Sequence, residues 1–406
     1  MDSGQHRRIL LADADAFYAS VARLIYPEAA EAKLLIVGGT RESRGVVLSA
    51  SYEARQFGVR SAMPISRALR LCPNATCVPV PFKQCGAKGK EIRAVLEKYA
   101  PSVEGASIDE WYMDMTGTEG VYRHEPLEKT AHRMRDAVKK ETGISVSIGG
   151  GTNKLIAKLA VERAKPKPGT GANGVHIVAA GTEQEFLRTL LLADIPMVGP
   201  KFQQKLQGLG LVTVPDLLQH DMPTLSRWLG GRAAHWLWDR VHGESESPVE
   251  GRRSQRSMSH DETFGHDLRD DHELEHELLS LVSRISSDLR GDGLTTRTVT
   301  VKIRDFDFRT RSARRTLPEP VISDRAIWHV ARELLLKLRV ARRVPARLLG
   351  VALSSLAEDP KADQLVLFTR ENTVETDRDR ALARSVDRVR KKYGPKGILP
   401  ASLAQQ

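Results

Sequence analysis

The sequence predicts a multidomain α+β protein, and three observations carry that expectation. Residues 1–180 alternate strand-like and helix-like patterns. Residues 181–246 read as all helical with short Gly/Pro turns. Helix and strand patterns then alternate again over 258–357, behind a polar, basic linker at 247–257. At 406 residues the chain has room for two to four domains, each with its own core.

In chain order, residues 8–12 form a short apolar run ending at Asp13, and residues 34–39 and 45–50 look like further strands. Residues 87–99 read as a helix, and 127–142 as a second one ended by Gly143. Residues 144–149 follow as a strand, and residues 105–108 read as another that carries Asp109. The clearest strand is 298–304, with Val299, Val301 and Ile303 on one face and Thr298, Thr300, Lys302 and Arg304 on the other. The second face is either a solvated surface or a phosphate-binding one, and the nearby Arg309, Arg311, Arg314 and Arg315 favour the latter.

Hydrophobic content of 41% with 28% charged residues is ordinary for a globular protein. The apolar run after Arg7 and Arg8 is too short for a signal peptide, and no later segment reaches transmembrane length. Cys72, Cys77 and Cys85 lack metal-site spacing and read as reduced thiols, so a cytoplasmic protein without membrane partners is expected. The net charge is +11, and residues 284–347 hold 16 Lys/Arg against 7 Asp/Glu, nine of those eleven charges. Such a segment usually faces a polyanion, and its strand-like setting favours nucleic acid over a membrane surface.

The most informative residues are acidic: Asp13-Ala14-Asp15, and Ser107-Ile108-Asp109-Glu110. Carboxylates on buried strands are costly unless a cation shares the site. They could cap strand ends or pair with Arg and Lys. Carboxylates from two neighbouring strands also suit hard divalent ions that bridge protein to substrate phosphates, as two-metal phosphoryl transfer requires. Adjacent residues of a regular strand point to opposite faces, so Asp109 and Glu110 can serve one centre only if the backbone bends there.

The motifs converge on one family. Residues 11–21 (LADADAFYASV), 50–59 (ASYEARQFGV), Ser107 to Glu110, 149–160 (GGGTNKLIAKLA), Ala164-Lys165-Pro166 and 314–318 (RRTLP) resemble the Y-family translesion DNA polymerases of the DinB, or polymerase IV, type. The resemblance runs from about residue 8 to about residue 357, with the motifs in the family's order. It implies a right-hand polymerase: palm at 1–16 and 83–180, fingers at 17–82, a helix-hairpin-helix thumb at 181–246 and an α/β little finger at 258–357. The implied activity is DNA-directed DNA polymerase, adding deoxynucleotides to a primer 3′ end on primer–template DNA during error-prone bypass of damage.

By position, the resemblance makes Asp13, Asp109 and Glu110 the catalytic carboxylates and holders of two Mg2+ ions, with Mn2+ as a substitute. The Ala14 carbonyl joins the metal shell. Phe17, Tyr18, Ser49, Tyr52, Arg55 and Lys165 fall at nucleotide-binding positions. Tyr18, otherwise a core aromatic, falls where the sugar 2′-hydroxyl is blocked. Tyr52 and Arg55 are three apart at a helix start and share a face; in isolation Arg55 would be a surface cation and Lys165 a loop charge. The expected DNA contacts are Val198, Gly199 and Lys201 in the hairpin turn, and Arg297, Thr300, Lys302, Arg304, Arg311 and Arg314 in the little finger.

There are departures from the pattern. Met197 stands at the hairpin turn's usual first glycine, which predicts a tighter or more weakly binding turn. Ala22 replaces the family's usual Glu and Trp111 a small residue, which predicts altered packing of fingers on palm. Trp228, Trp236 and Trp238 fit a helical core better than a base-stacking platform. Beyond 357, in the tail at 358–406, Gln364-Leu365-Val366-Leu367-Phe368 resembles a bacterial sliding-clamp-binding peptide, its anchors being Gln364, Leu365, Leu367 and Phe368; an edge strand is the other reading. Residues 380–393 read as a basic amphipathic helix with Leu382, Val386, Val389 and Tyr393 on one stripe. A monomer is expected. Two other functions are weighed: a non-catalytic DNA-bound scaffold, which would lack the metal carboxylates, and another palm-type enzyme such as a nucleotidyl cyclase, which would need neither basic domain nor clamp peptide.

Overall fold

The structure is a computed structural model, and it describes residues 6–40, 44–166, 171–251, 255–359, 374–394 and 397–403. The chain divides into two compact units, 1–253 and 254–406.

The first unit opens with β1 (Ile9–Ala14), α1 (Phe17–Ile25), α2 (Pro27–Ala30), β2 (Leu35–Gly38), β3 (Val47–Ala50), α3 (Tyr52–Gln56), α4 (Ile65–Leu71) and β4 (Thr76–Val78). There follow α5 (Phe82–Leu96), β5 (Ser102–Gly105), β6 (Glu110–Asp114), α6 (Leu127–Thr142), β7 (Val146–Gly151), α7 (Lys154–Ala164) and β8 (Val175–Ile177). Two sheets result, one ordered β5-β6-β1-β7-β8 and the other β3-β2-β4. Period-two alternation gives the larger sheet two faces. Leu10, Ala12, Trp111, Met113 and Ile148 pack under α5 and α6, while Ile9 and Leu11 pack against Ala157 and Val161 of α7.

Glycines set how closely α7 can approach. A Cβ on Gly149 would lie 2.1 Å from the Val161 nitrogen and 2.4 Å from the Ala157 carbonyl oxygen. The bare strand thus lets the helix rest directly on the sheet. Asn153 caps α7 by accepting the Ile156 N–H at 3.0 Å.

The helical region, as expected, contains no strand among its described residues: α8 (Glu183–Arg188), a 3-10 turn (Leu192–Asp194), α9 (Pro200–Gly208), α10 (Val214–Leu218), α11 (Met222–Leu229) and α12 (Gly231–Val241). Trp228, Trp236 and Trp238 pack against its aliphatic core. Part of the expected linker is docked: Val249 joins the α7-side cluster, and the Glu250 N–H donates to Glu104 at 2.7 Å.

The second unit contains β9 (Ser257–Leu268), α13 (Asp271–Gly291), β10 (Leu294–Asp305), β11 (Thr310–Val321), α14 (Asp324–Ala341), β12 (Ala346–Glu358), α15 (Asp377–Tyr393) and a 3-10 turn (Ala401–Leu403). Its sheet, ordered β11-β10-β12-β9, buries Val299, Val301 and Ile303 beneath α13 and α14. Thr300, Lys302 and Arg304 fall on the opposite, uncovered face, as period two requires.

Several expected positions need correction. Asp109 is not on a strand: β5 ends at Gly105, β6 starts at Glu110, and Asp109 is a half-exposed member of the hairpin turn between them. The helix expected over 87–99 runs 82–96, and the strand expected from 144 starts at Val146. The helix expected over 380–393 is present as α15; at the ends of its apolar stripe Leu382 is 62% and Tyr393 66% exposed, while Val386 and Val389 between them are half-buried. Charged pairs fasten the helix. Asp387 accepts both Arg290 nitrogens Nε and Nη2, Arg390 donates to Ser283, and Arg325 donates to Asp379. Burying Asp379 and Ala383 rather than Leu382 is the consequence.

Candidate active site and nucleic-acid interface

Asp13, at the end of β1, is the direct cross-strand partner of Glu110, at the start of β6. The Ala14 N–H donates to the Asp109 carbonyl at 2.9 Å, so the turn that carries Asp109 is stitched to the same end of β1. The turn supplies the bend that a regular strand could not, bringing two successive carboxylates to one sheet end. The Ser107 hydroxyl donates to Asp109 Oδ1 at 2.5 Å.

Two lysines face this acidic end. Lys158 Nζ lies 2.6 Å from Glu110 Oε1 and 3.7 Å from Asp13 Oδ2, and Lys165 Nζ lies 3.0 Å from Asp13 Oδ2. Lys165 is expected from its motif. Lys158 is not, although its spacing of four from Lys154, on the α7 face that meets the sheet, is a readable signal. Lys154 pairs with the buried Glu104 one strand further on.

Burial pushes the Asp13 carboxyl up from 3.8 to about 6, against the pull of Lys165 and Lys158. Burial alone would lower the Lys165 ammonium, but Asp13 and Glu162 carry it above the ordinary lysine range. Asp15, also raised by burial, accepts the Ser147 hydroxyl at 2.7 Å.

Phe17 is core, whereas Tyr18 is half-buried and its hydroxyl is raised first by burial and then by the charge of Asp109. Both sit at the N-terminus of α1, where the first N–H groups have no intrahelical partner and favour an anion. Ser51 caps α3, and the Arg55 guanidinium lies 5.0 Å from the Tyr52 ring centre while donating to the Ala50 carbonyl. The Tyr52 hydroxyl, raised first by burial, then feels Asp15, Arg55, Lys165 and Asp13 in turn, so this helix faces the carboxylate end of β1. Ser49 is buried in β3.

The donors fit a hard divalent ion: three carboxylates and a backbone carbonyl, all oxygen. Among the described residues no three Asp, Glu, His or Cys side chains form a ready-made cage. Ions of the magnesium type need none, because they take one or two carboxylates and complete their shell with water and substrate phosphate.

Trp111, next to Glu110, points to the other face of the sheet, into the α5/α6 core, and Ala22 is fully buried against α1's partners. Neither intrudes on the carboxylates. In the hairpin turn, the Val198 N–H donates to the Ile195 carbonyl at 3.0 Å and Met197 has φ +74°. Pro196 followed by a positive φ marks a type II turn, whose third residue is ordinarily glycine. The turn has therefore not tightened; Met197 adopts the glycine conformation, with its side chain 82% exposed. Val198 and Gly199 already spend their N–H groups within the turn, Pro200 has none and Phe202 donates to the Gly199 carbonyl, which leaves the Lys201 N–H and ammonium to face an anion.

On the open face of the second unit's sheet, Thr300 pairs with Arg314 and Lys302 with Ser312. Arg314 and Arg297 are exposed. Arg311 falls one register step away and lies on the helix side. Its guanidinium donates to the fully buried Asp305 and to the Leu338 and Arg342 carbonyls, so it holds the fold together. Arg315 likewise pairs with Glu333 of α14. An unforeseen acid, Asp261 of β9, pairs with Lys302 on the open face. The peptide at 364–368 lies outside the described residues.

Comparisons with known proteins cover almost all of this architecture. The impB/mucB/samB family profile matches residues 12–162, and that family's C-terminal domain matches 255–367. DNA polymerase IV of Treponema denticola is 34% identical over 97% of this chain and 96% of its own. That of Halorhodospira halophila is 36% identical over 89% of this chain and 98% of its own. Among solved structures, a Y-family DNA polymerase chimera matches with a TM-score of 0.74 at 25% identity, over 86% of this chain and 99% of that one. An insertion ternary complex of Dbh DNA polymerase matches with a TM-score of 0.61 at 26% identity over the same shares. With relatives matched along nearly their whole length, the chain belongs to the Y family of DNA polymerases, as a translesion enzyme of the DNA polymerase IV type.

Proposed function

We propose that the carboxylate end of the five-stranded sheet is where this polymerase joins a deoxynucleotide to a primer, with Asp13, Asp109, Glu110 and the Ala14 carbonyl holding two divalent ions, Mg2+ in the cell. The observation that carries this reading is the cross-strand pairing of Asp13 with Glu110, with the Asp109 turn bonded to the same strand end. When bound, such ions make a 3′-hydroxyl a better nucleophile and neutralise a triphosphate. The chain's own groups do the rest. Lys165, Arg55 and the Tyr52 hydroxyl, together with the α1 N-terminus at Phe17 and Tyr18, bind and orient the triphosphate. Tyr18, at the rim, fills the space a 2′-hydroxyl would need.

In this reading the five-stranded sheet is the palm, the three-stranded sheet the fingers, the helical region the thumb and the second unit the little finger. Primer–template phosphates are held by Arg297, Thr300, Lys302, Arg304 and Arg314, and at the hairpin turn by the α9 N-terminus around Lys201. Residues 364–368 would dock on the sliding clamp and raise the local concentration of a monomeric enzyme at primer ends.

The test is primer extension on undamaged and lesion-bearing templates, with and without Mg2+. Asp109→Ala and Glu110→Ala should abolish extension and leave DNA affinity within a few-fold. Extension by either variant near the wild-type rate would remove the metal assignment; a wild type that binds DNA without extending it would establish the scaffold alternative.

A further inference from the structure

The turn joining β10 to β11 carries two exposed phenylalanines. Phe306 is 49% and Phe308 65% exposed. The Phe308 N–H donates to the Asp305 carbonyl and the Asp305 N–H to the Arg309 carbonyl, both at 2.9 Å, closing a tight hairpin loop. Phe308 has φ +65°. That position in such loops is left-handed and ordinarily glycine or asparagine, and a bulky aromatic there is strained. An aromatic ring thus stands exposed at a position where glycine would be the unstrained choice. Arg347 lies 4.7 Å from the ring centre, covering part of it.

Charge around the tip is positive. Arg304, Arg309, Arg342 and Arg347 lie around it; the nearby acids are Asp305, neutralised from the helix side by Arg311 and also paired with Arg342, and Asp307, paired with Arg342. The tip also extends β10, whose open face carries Thr300, Lys302 and Arg304. Exposed aromatic rings among arginines are the chemistry of a stacking site for unpaired bases.

We propose that the Phe306–Phe308 tip stacks unpaired bases of a DNA strand that continues beyond duplex held on the open sheet face. The inference rests on the sheet face binding duplex phosphates. Sequence-independent stacking of this kind suits strands whose bases cannot pair.

The test measures affinity of the full-length protein for blunt duplex, for the same duplex with a single-stranded overhang, and for one whose overhang is abasic. Wild type should gain about tenfold from the normal overhang and little from the abasic one. Phe308→Asn and Phe306→Ser should lose that gain and keep blunt-duplex affinity. Asparagine tolerates the left-handed backbone, so Phe308→Asn should melt no lower than wild type, which separates lost stacking from lost folding. An equal gain from the abasic overhang, or an unchanged gain in both variants, overturns the proposal. Failure of the sheet-face reading looks different: wild type would then show no salt-dependent affinity for blunt duplex, and the proposal would fall with it.

Discussion

Asp13 and Glu110 face each other directly across β1 and β6, and Lys158 bridges them, 2.6 Å from one carboxylate and 3.7 Å from the other. Like charges directly opposite on a sheet repel, so the lysine compensates a repulsion built into this strand end. Removing it should destabilise the metal-free protein by about 1 kcal/mol. A divalent ion would then have more repulsion to relieve. Lys158→Ala should therefore show a larger Mg2+-induced rise in melting temperature than wild type; an equal rise would mean that the lysine does not compete with the ion.

Asp13 makes the metal-free fold sensitive to pH. Its folded value of about 6 lies above the ordinary 3.8, so between these values the native state keeps a proton that the unfolded chain has lost. The group's contribution is thus fully present below about pH 4 and is lost as pH rises through 6, on the order of 3 kcal/mol in all. In urea titrations without divalent ions, Asp13→Asn should gain on wild type as pH rises from 4 to 7. A pH-independent difference would rule out this origin.

Tyr18 has its ring at the α1 N-terminus, half-buried and within electrostatic reach of Asp109. Tyr18→Ala should raise ribonucleotide incorporation by an order of magnitude or more and change deoxynucleotide incorporation much less, since a cavity relieves a clash in one substrate alone. Single-nucleotide kinetics showing unchanged sugar discrimination would make Tyr18 a packing residue.

Lys302 is partly neutralised by Asp261, whereas Arg304 donates to the Thr310 hydroxyl. Lys302→Ala should accordingly cost less duplex affinity than Arg304→Ala, and Asp261→Asn should raise affinity. A variant that no longer neutralises one phosphate should show a log–log salt dependence shallower by roughly one unit. A weaker-binding Asp261→Asn would show that the acid positions Lys302 rather than masking it.

Met197 bears left-handed backbone at a type II turn. Met197→Gly relieves about 1–2 kcal/mol of strain and gives back roughly half through the freer unfolded chain. A net gain of up to about 1 kcal/mol is expected, while Met197→Val, branched at Cβ, should destabilise. Chemical denaturation of both variants tests the pair of signs.

Much of this protein is determined by sequence alone. The alternation of Val299, Val301 and Ile303 with Thr300, Lys302 and Arg304 is enough to assign both faces of β10, because side-chain period follows from strand geometry. The order of the motifs likewise identifies the family, and the structure brings Asp13, Asp109, Glu110 and Lys165 of those motifs to one sheet end. Tertiary structure decided what depends on partners distant in the chain. Period alone could not say that Arg311 would turn inward to Asp305 while Arg314 stayed on the open face, because the register of β11 is set by pairing with β10. Nor could it show that Lys158 would bridge Asp13 and Glu110, which requires α7 to lie flush on the bare glycines of β7. The polar docking of α15 was hidden for the same reason: its stripe of apolar residues is a local property, but the acids and arginines that hold it, Asp387 with Arg290 above all, find each other only once the second unit has folded.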